Sequence, residues 1–286
     1  MEKLVHFVLE HPRLLVLTGA GLSEPSGIPV YRDKQGTWLR TSPIQHNDFL
    51  NSPLSRQRYW ARSMVGWPRM ALAYPNKGHL ALEELERVGL IEQLITQNVD
   101  CLHQRAGQRA LIDMHGSLDR VRCLDCAQLL ARAQVQDWLK AANPGIEGHL
   151  AQMRPDGDAD LADELIASVQ VPNCPQCGGI LKPDVVFFGG TIPASVSKAV
   201  ADAVQTCDAV LVVGSSLTVF SGFRICRDAH RLGKPIAALN QGLMRADDLL
   251  TLKIEEDCER GLERLRDLLI QSFPLDRRAR SNVPAT

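Results

Sequence analysis

The chain has 286 residues, a formal net charge of −1, and 45% hydrophobic against 23% charged residues, the make-up of a globular protein long enough to bury a large core. A near-zero charge excludes global attraction to nucleic acid or anionic membrane, and no apolar run approaches the ~20 residues of a membrane span. The eight cysteines read as cytoplasmic, where disulfides are rare and paired cysteines more often hold metal.

Residues 1–10 read as an amphipathic helix. Glu10, His11 and Arg13 interrupt the apolar run, and no small-residue cleavage site comes after it, so a signal peptide is not expected. Leu14–Leu17 is a short, continuous apolar run of the kind a buried parallel strand shows. It leads into Thr18-Gly-Ala-Gly-Leu-Ser, where Gly19 and Gly21 remove side chains and let backbone N–H groups approach a pyrophosphate. On spacing alone the dinucleotide signal is weak. Glu24 stands where the third glycine of G-x-G-x-x-G would fall, and a plain glycine turn accounts for the loop equally well.

Residues 39–78 lose the strand pattern and read as a helical insertion. Ser55–Trp67 is a helix rich in arginine and aromatics, with Pro68 and Pro75 expected to break the chain beyond it. Leu80–Val88 has helical apolar spacing with Gly89 as its C-cap. Leu90–Ile95 reads as the next strand, ending in Thr96-Gln-Asn-Val-Asp100. Ligands gather at the carboxyl ends of parallel strands, so Gln97, Asn98 and Asp100 are either cofactor contacts or plain capping residues. His115 comes after the apolar run Ala110–Ile112. It is the side chain whose ordinary pKa suits proton abstraction near neutrality, although a single histidine is also often a hydrogen-bonded core residue.

Cys123-Leu-Asp-Cys126 and Cys174-Pro-Gln-Cys177 flank residues 127–173. Two such pairs supply four thiolates, a closed tetrahedral set for structural Zn²⁺ with no open position for catalysis; a redox pair is the competing account. A helix over Ala131–Ala142 fits between them. Cys101, Cys207, Cys226 and Cys258 show no pairing pattern and read as small buried residues. The chain returns to the sheet through Lys182–Gly190. Ala209–Val213 is a buried strand ending in Gly214-Ser-Ser-Leu217, and Ile236–Leu239 another, ending in Asn240, whose amide suits a ribose hydroxyl. Residues 276–286 are polar and basic and are expected to form a flexible tail.

These segments carry a resemblance. Gly19-Ala-Gly-Leu-Ser23, then Ser26-Gly-Ile-Pro29 with the pair Tyr31-Arg32, then Gln97-Asn-Val-Asp100 with His103, Met114-His-Gly116, the paired cysteines, Phe188-Gly189 and Gly214-Ser-Ser-Leu217 recur in order from about Leu14 to Cys258. The series resembles the sirtuins, NAD-consuming protein-lysine deacylases, and is nearest their class II, of the mitochondrial fourth-sirtuin type. The resemblance implies an α/β fold. A Rossmann-like parallel-sheet NAD-binding domain would take residues 1–38, 79–118 and 185–275, with a helical insertion over 39–78 and a small inserted zinc-binding module over 119–184.

It also implies NAD as co-substrate, one structural Zn²⁺ on Cys123, Cys126, Cys174 and Cys177, acylated-lysine protein substrates, and a monomer without nucleic-acid or membrane partners. His115 would be the general base, with Asn98 beside it. Gly19, Ala20, Gly21, Ser23, Tyr31, Arg32, Gln97, Asn98, Asp100, Gly214, Ser215, Ser216, Asn240 and Cys258 would contact NAD. Val186, Phe187, Phe188, Gly189 and Val219 would hold the peptide as an added strand. In the implied reaction the acyl oxygen attacks the ribose carbon as nicotinamide leaves. His115 then deprotonates the ribose hydroxyl that carries the acyl group away, so NAD is consumed.

Tyr59 and Arg62, spaced i,i+3, resemble the acyl-pocket pair of class III members, which implies a taste for succinyl, glutaryl or methylglutaryl groups; a solvated basic helix face is the plainer account. The departures are Val30 where an Asp is usual, Tyr31 where Phe is common, Gly190 where an acid is usual, and Ser221 where a Pro is usual. Rival readings are ADP-ribosyl transfer or lipoamide cleavage on the same site, a hydride-transferring dehydrogenase, and a zinc-dependent nucleic-acid binder. Asp156, Asp158, Asp160, Asp163 and Glu164 count against the last.

Overall fold

Helix α1 (Glu2–Glu10) turns Leu4, Phe7 and Val8 inward at helical spacing. The structure, a computed structural model, describes residues 1–31, 33, 44–146, 157–159 and 161–272. Strand β1 (Leu14–Thr18) comes next, with two 3₁₀ turns over Ala20–Leu22 and Glu24–Ser26. Then come α2 (His46–Asn51), α3 (Pro53–Ala71), α4 (Lys77–Arg87), β2 (Gln93–Thr96), α5 (Leu102–Ala106), β3 (Leu111–Asp113), β4 (Gly116–Cys123), β5 (Leu129–Ala131), α6 (Arg132–Ala142) and α7 (Asp163–Ser168). The chain continues through β6 (Leu181–Val185), α8 (Ala194–Thr206), β7 (Ala209–Val213), α9 (Phe220–Arg231), β8 (Ile236–Leu239), β9 (Leu252–Ile254) and α10 (Cys258–Ser272). Among the described residues, no helix is long and apolar enough to cross a membrane.

Six parallel strands form one sheet in the order β3-β2-β1-β7-β8-β9. β1, β7 and β8 are buried at every position, as a sheet covered by helices on both faces requires. Alternate residues serve opposite faces. Leu14 and Val16 pack with Leu82, Leu85, Leu262 and Leu265 of α4 and α10, while Leu15 and Leu17 pack with Val200, Val204, Ile225 and Cys226 of α8 and α9.

A second sheet, antiparallel in the order β5-β4-β6, carries the paired cysteines. Its core is shared with the helical segment: Tyr59, Trp60, Ala61 and Met64 of α3 join Val121, Cys123, Leu139 and Leu181 in one cluster. Arg132 is fully buried there. Its guanidinium lies 5.3 Å from the Trp60 ring and 4.6 Å from that of Trp67, and it donates to Gln136 Oε1 and to the Ser63 carbonyl. Burial brings its pKa down to about 10, and the aromatic faces and carbonyl dipoles hold the charge in place of water.

Two local expectations are corrected. Pro68 does not end its helix, since α3 runs to Ala71. The proline leaves the Met64 carbonyl without its helical donor, and the Gln136 side-chain amide supplies one at 2.7 Å. The strand expected from Leu90 begins at Gln93. Leu90 instead donates its N–H to the Leu85 carbonyl at 2.9 Å and closes α4 after Gly89.

Gly66 in α3 lies against the chain at Gly157–Asp158, where an added Cβ would sit 2.4 Å from the Asp158 carbonyl carbon. Alanine normally gains about 0.5–1 kcal/mol over glycine inside a helix, whereas overpacking costs about 1–3 kcal/mol. Gly66→Ala is therefore expected to lower the unfolding free energy by about 1–2 kcal/mol. Urea denaturation checks the sign; a stabilised variant contradicts the packing described.

Candidate active site

The strand order reverses between β1 and β7, and the turns that leave these two strands touch. Gly19 N–H donates to the Val213 carbonyl at 3.1 Å and Gly21 N–H to the Gly214 carbonyl at 2.9 Å. A Cβ on Gly19 would lie 2.7 Å from that of Ser215, and one on Gly21 would lie 3.0 Å from the Gly214 oxygen. The glycines thus let backbone meet backbone, and their own N–H groups are spent on the neighbouring turn rather than on a ligand. Asn76, the N-cap of α4, fixes the same loop by donating to the Leu22 carbonyl at 2.7 Å and to Ser26 Oγ at 3.1 Å.

Below this contact opens a crevice of about 850 Å³. Gly19, Ala20, Gly21, Ser23 and Tyr31 line it from the first turn, and Gln97, Asn98, Asp100 and His115 from the ends of β2 and β3. Gly214, Ser215, Ser216, Asn240 and Cys258 line the far side, and Val186, Phe187, Phe188, Gly189 and Val219 the outer rim. Arg32 lies outside the described residues, as do residues 276–286.

The β2 turn is tied into the first turn by its side chains. Gln97 Nε2 donates to Ser215 Oγ at 2.8 Å and to the Thr18 carbonyl at 3.2 Å. Asn98 Nδ2 donates to the Gly19 carbonyl and to Ser23 Oγ, both at 3.0 Å. Ser23 donates its own proton to Asp100 Oδ2 at 2.7 Å, and Asp100 Oδ1 accepts from Leu102 N–H at 2.9 Å, at the start of α5. Burial pushes the Asp100 carboxyl above its ordinary value, against those two bonds.

His115 has both ring nitrogens engaged. Nδ1 lies 2.9 Å from the Gln97 carbonyl. A carbonyl only accepts, so Nδ1 carries the proton. Nε2, 2.9 Å from Ser221 Oγ, is then the lone-pair nitrogen and accepts the serine proton. Burial lowers the pKa below the ordinary histidine value despite the opposing Gln97 bond, which keeps the ring neutral near pH 7. Its backbone is pinned as well: Val186 N–H donates to the His115 carbonyl at 2.8 Å.

Tyr59 and Arg62 do not line the crevice. Tyr59, 3% exposed, packs behind it, with ring centroids 5.3 Å from Phe187 and 5.6 Å from Phe49. Arg62 turns away, its Nε 3.1 Å from the Ala159 carbonyl and 3.6 Å from Asp158 Oδ2. The Lys182 ammonium also lies over the Phe187 ring, 4.3 Å from its centroid, and burial lowers its pKa to about 8.

Ser221, Arg224, Ile28, Gln241 and Asp257 also line the crevice, and the motifs do not mark them as contacts. The sequence sets Ser221 apart only as a departure from proline. Arg224 stands three residues further on, one turn along α9, so the helical spacing of 220–231 is the signal that finds it.

The four cysteines that the spacing pairs come together. Cys123, Cys126, Cys174 and Cys177 place their sulfurs within 4.8 Å of one another, with 3.5 Å between Cys123 and Cys177 and 3.8 Å between Cys126 and Cys174. Tetrahedral zinc with Zn–S near 2.3 Å requires sulfurs about 3.8 Å apart. The set therefore fits one structural Zn²⁺.

The Sir2 family model matches residues 19–221. Over 257 residues the chain is 56% identical to an NAD-dependent protein deacetylase of Xanthomonas axonopodis pv. citri, covering 90% of this chain and 87% of that protein. It is 48% identical over 261 residues to the human mitochondrial NAD-dependent protein lipoamidase sirtuin-4, covering 90% and 83%. Among solved structures, a Sir2 with p53 peptide and NAD+ aligns at a TM-score of 0.74 and 28% identity, over 94% of this chain and 98% of that one. A Sir2 variant with deacetylated p53 peptide and 3'-O-acetyl-ADP-ribose reaches 0.77 at 28% identity, with the same coverage.

Chelation or Cys126→Ala is expected to release one zinc per chain and to collapse the second sheet, since structural zinc contributes an apparent ~10–16 kcal/mol in small modules. Metal analysis with near-ultraviolet dichroism checks this; a zinc-free protein with unchanged dichroism and full activity contradicts it.

Proposed function

We propose that this chain, which belongs to the Sir2 (sirtuin) family, is an NAD-dependent protein-lysine deacylase. The observation that carries the reading is the single tautomer of His115. It is a half-buried neutral imidazole whose unprotonated Nε2 lies at the crevice, next to a turn that holds Gln97, Asn98 and Asp100 by hydrogen bonds. NAD, when bound, supplies an electrophilic ribose carbon and a hydroxyl able to receive the acyl group. His115 Nε2 takes the proton of that hydroxyl, and the Gln97 carbonyl steadies the imidazolium through Nδ1–H. Gln97, Asn98 and Asp100 orient nicotinamide and ribose; Ser23 keeps Asn98 and Asp100 in register. Ala20 and Tyr31 enclose the reacting end, Gly214, Ser215, Ser216, Asn240 and Cys258 the adenosine side. Val186–Gly189 and Val219 offer backbone to an acyl-lysine segment.

The finer reading, a preference for acidic acyl chains, would need Arg62, whose helix reaches the back of the crevice wall only through the stack that links Tyr59 to Phe187. An acyl carboxylate competes there with Asp158 for the Arg62 guanidinium. We therefore place acetyl and other neutral acyl groups first and succinyl- or methylglutaryl-type groups second. Turnover of an acidic acyl peptide above that of its acetyl counterpart, lost in Arg62→Ala, reverses the order.

The reaction itself is tested by mass spectrometry on NAD with acyl-lysine peptides. Nicotinamide, O-acyl-ADP-ribose and free lysine should form in equal amounts with no NADH absorbance, and His115→Ala should lose about 10²–10⁴-fold in rate. The pH dependence has a defined sign. A histidine whose pKa is lowered stays neutral above that pKa, so kcat/KM is expected to be level at neutrality and to fall only below the ordinary histidine value of about 6.5. An acid limb centred above about 6.5 contradicts the buried neutral base.

A further inference from the structure

At the crevice rim, Val219, the start of α9 and the loop after β8 form an exposed surface whose cations the reaction does not use. Val219 is 39%, Phe220 49% and Leu243 67% exposed, and all three border the crevice. The Phe220 ring carries two guanidiniums, Arg227 at 5.3 Å and Arg245 at 5.5 Å from its centroid; Arg245 also lies 4.5 Å from Phe223. Arg224, one turn beyond Phe220, lines the crevice itself.

Two of the neighbouring anions are taken. Asp228 holds Arg227 at 3.1 Å and Arg231 at 3.8 Å, and Asp247 holds Lys253 at 2.9 Å. Among the described residues, neither Arg224 nor Arg245 has a carboxylate within 4.0 Å. Arg245 is nonetheless held in place, by the two phenyl rings and by an Nη1 bond to the Thr218 carbonyl at 3.2 Å. Arg245 is exposed, and stacking with one carbonyl bond orders its guanidinium before a carboxylate arrives, at little further entropic cost. Four acids border the crevice, Glu24, Asp33, Asp100 and Asp257, and none of them pairs with Arg224 or Arg245. The cations beside Ser221 are therefore unopposed within ion-pair distance.

We infer that this rim selects acyl-lysine segments with aspartate or glutamate flanking the lysine. The inference rests on the deacylase reading. An acyl group delivered to His115 arrives beside Ser221, its hydrogen-bond partner, so the residues next to that lysine pass within a helical turn of Phe220 and Arg224. Exposed Val219 and Phe220 supply apolar contact, and Arg224 and Arg245 pair with the flanking carboxylates.

The test is steady-state kinetics of the full chain, zinc-loaded and saturated with NAD, on acetyl-lysine peptides that differ only in carrying acidic, neutral or basic flanks. KM is expected to be about tenfold lower for the acidic than for the basic peptide, with kcat alike and the gap closing at high salt. Arg245→Glu, an exposed substitution whose folding is checked by thermal midpoint, should erase most of the gap while leaving kcat on the neutral peptide unchanged. Equal KM values across the flanks overturn the inference and leave deacylation standing, whereas failure to turn over any of the peptides defeats the deacylase reading and this inference with it. A raised KM for NAD in Arg224→Gln, with peptide KM values unchanged, assigns the cation to the cofactor and also overturns it.

Discussion

The close approach of two backbone turns governs the rest of this structure. Strands β1 and β7 are neighbours running the same way, and their exits would collide if Gly19 or Gly21 carried a side chain. Because they do not, the β1 turn bonds to the β7 turn through main-chain groups alone. That contact sets the depth of the crevice and brings the β2 turn within reach of both, so that Gln97 can span from Thr18 to Ser215. A generic dinucleotide loop would commit these glycines to phosphate. Here their first role is to let two strand ends meet.

The second constraint is dryness. Asp100 is buried and His115 half-buried, and desolvation moves both toward their neutral forms, the histidine downward and the carboxyl upward. For the imidazole this is an advantage, since a base must be unprotonated before it can act. For Asp100 it is a load that Ser23 and the Leu102 N–H partly offset. The histidine's orientation needs no charged partner. A backbone carbonyl on one side and a serine hydroxyl on the other fix the ring, and the carbonyl decides the tautomer.

How legible each feature is in the sequence depends on how local its signal is. The apolar runs of β1, β7 and β8 are buried on both faces and could be little else, and the cysteine pairs announce their chemistry by spacing. Pro68 misleads because its compensation, Gln136, is remote in sequence. The burial of Arg132 between Trp60 and Trp67 is illegible for the same reason: an arginine on a helix reads as surface until the aromatic faces that sandwich it are known. Tyr59 and Arg62 do share one helix, but spacing does not say which neighbour each will meet, and Asp158 claims the arginine. Ser221 and His115 lie far apart in the chain, so no local pattern reveals their bond.

Phe187 belongs to two compartments at once. One face of its surroundings is the crevice wall; the other is the core that also contains Cys123, Cys174 and Tyr59. A wall shared in this way transmits displacement. A displaced Phe187 ring presses on the packing around the thiolates, and loosening at the thiolates slackens the wall. The small module is thus a backing for the crevice wall, and the two give way together.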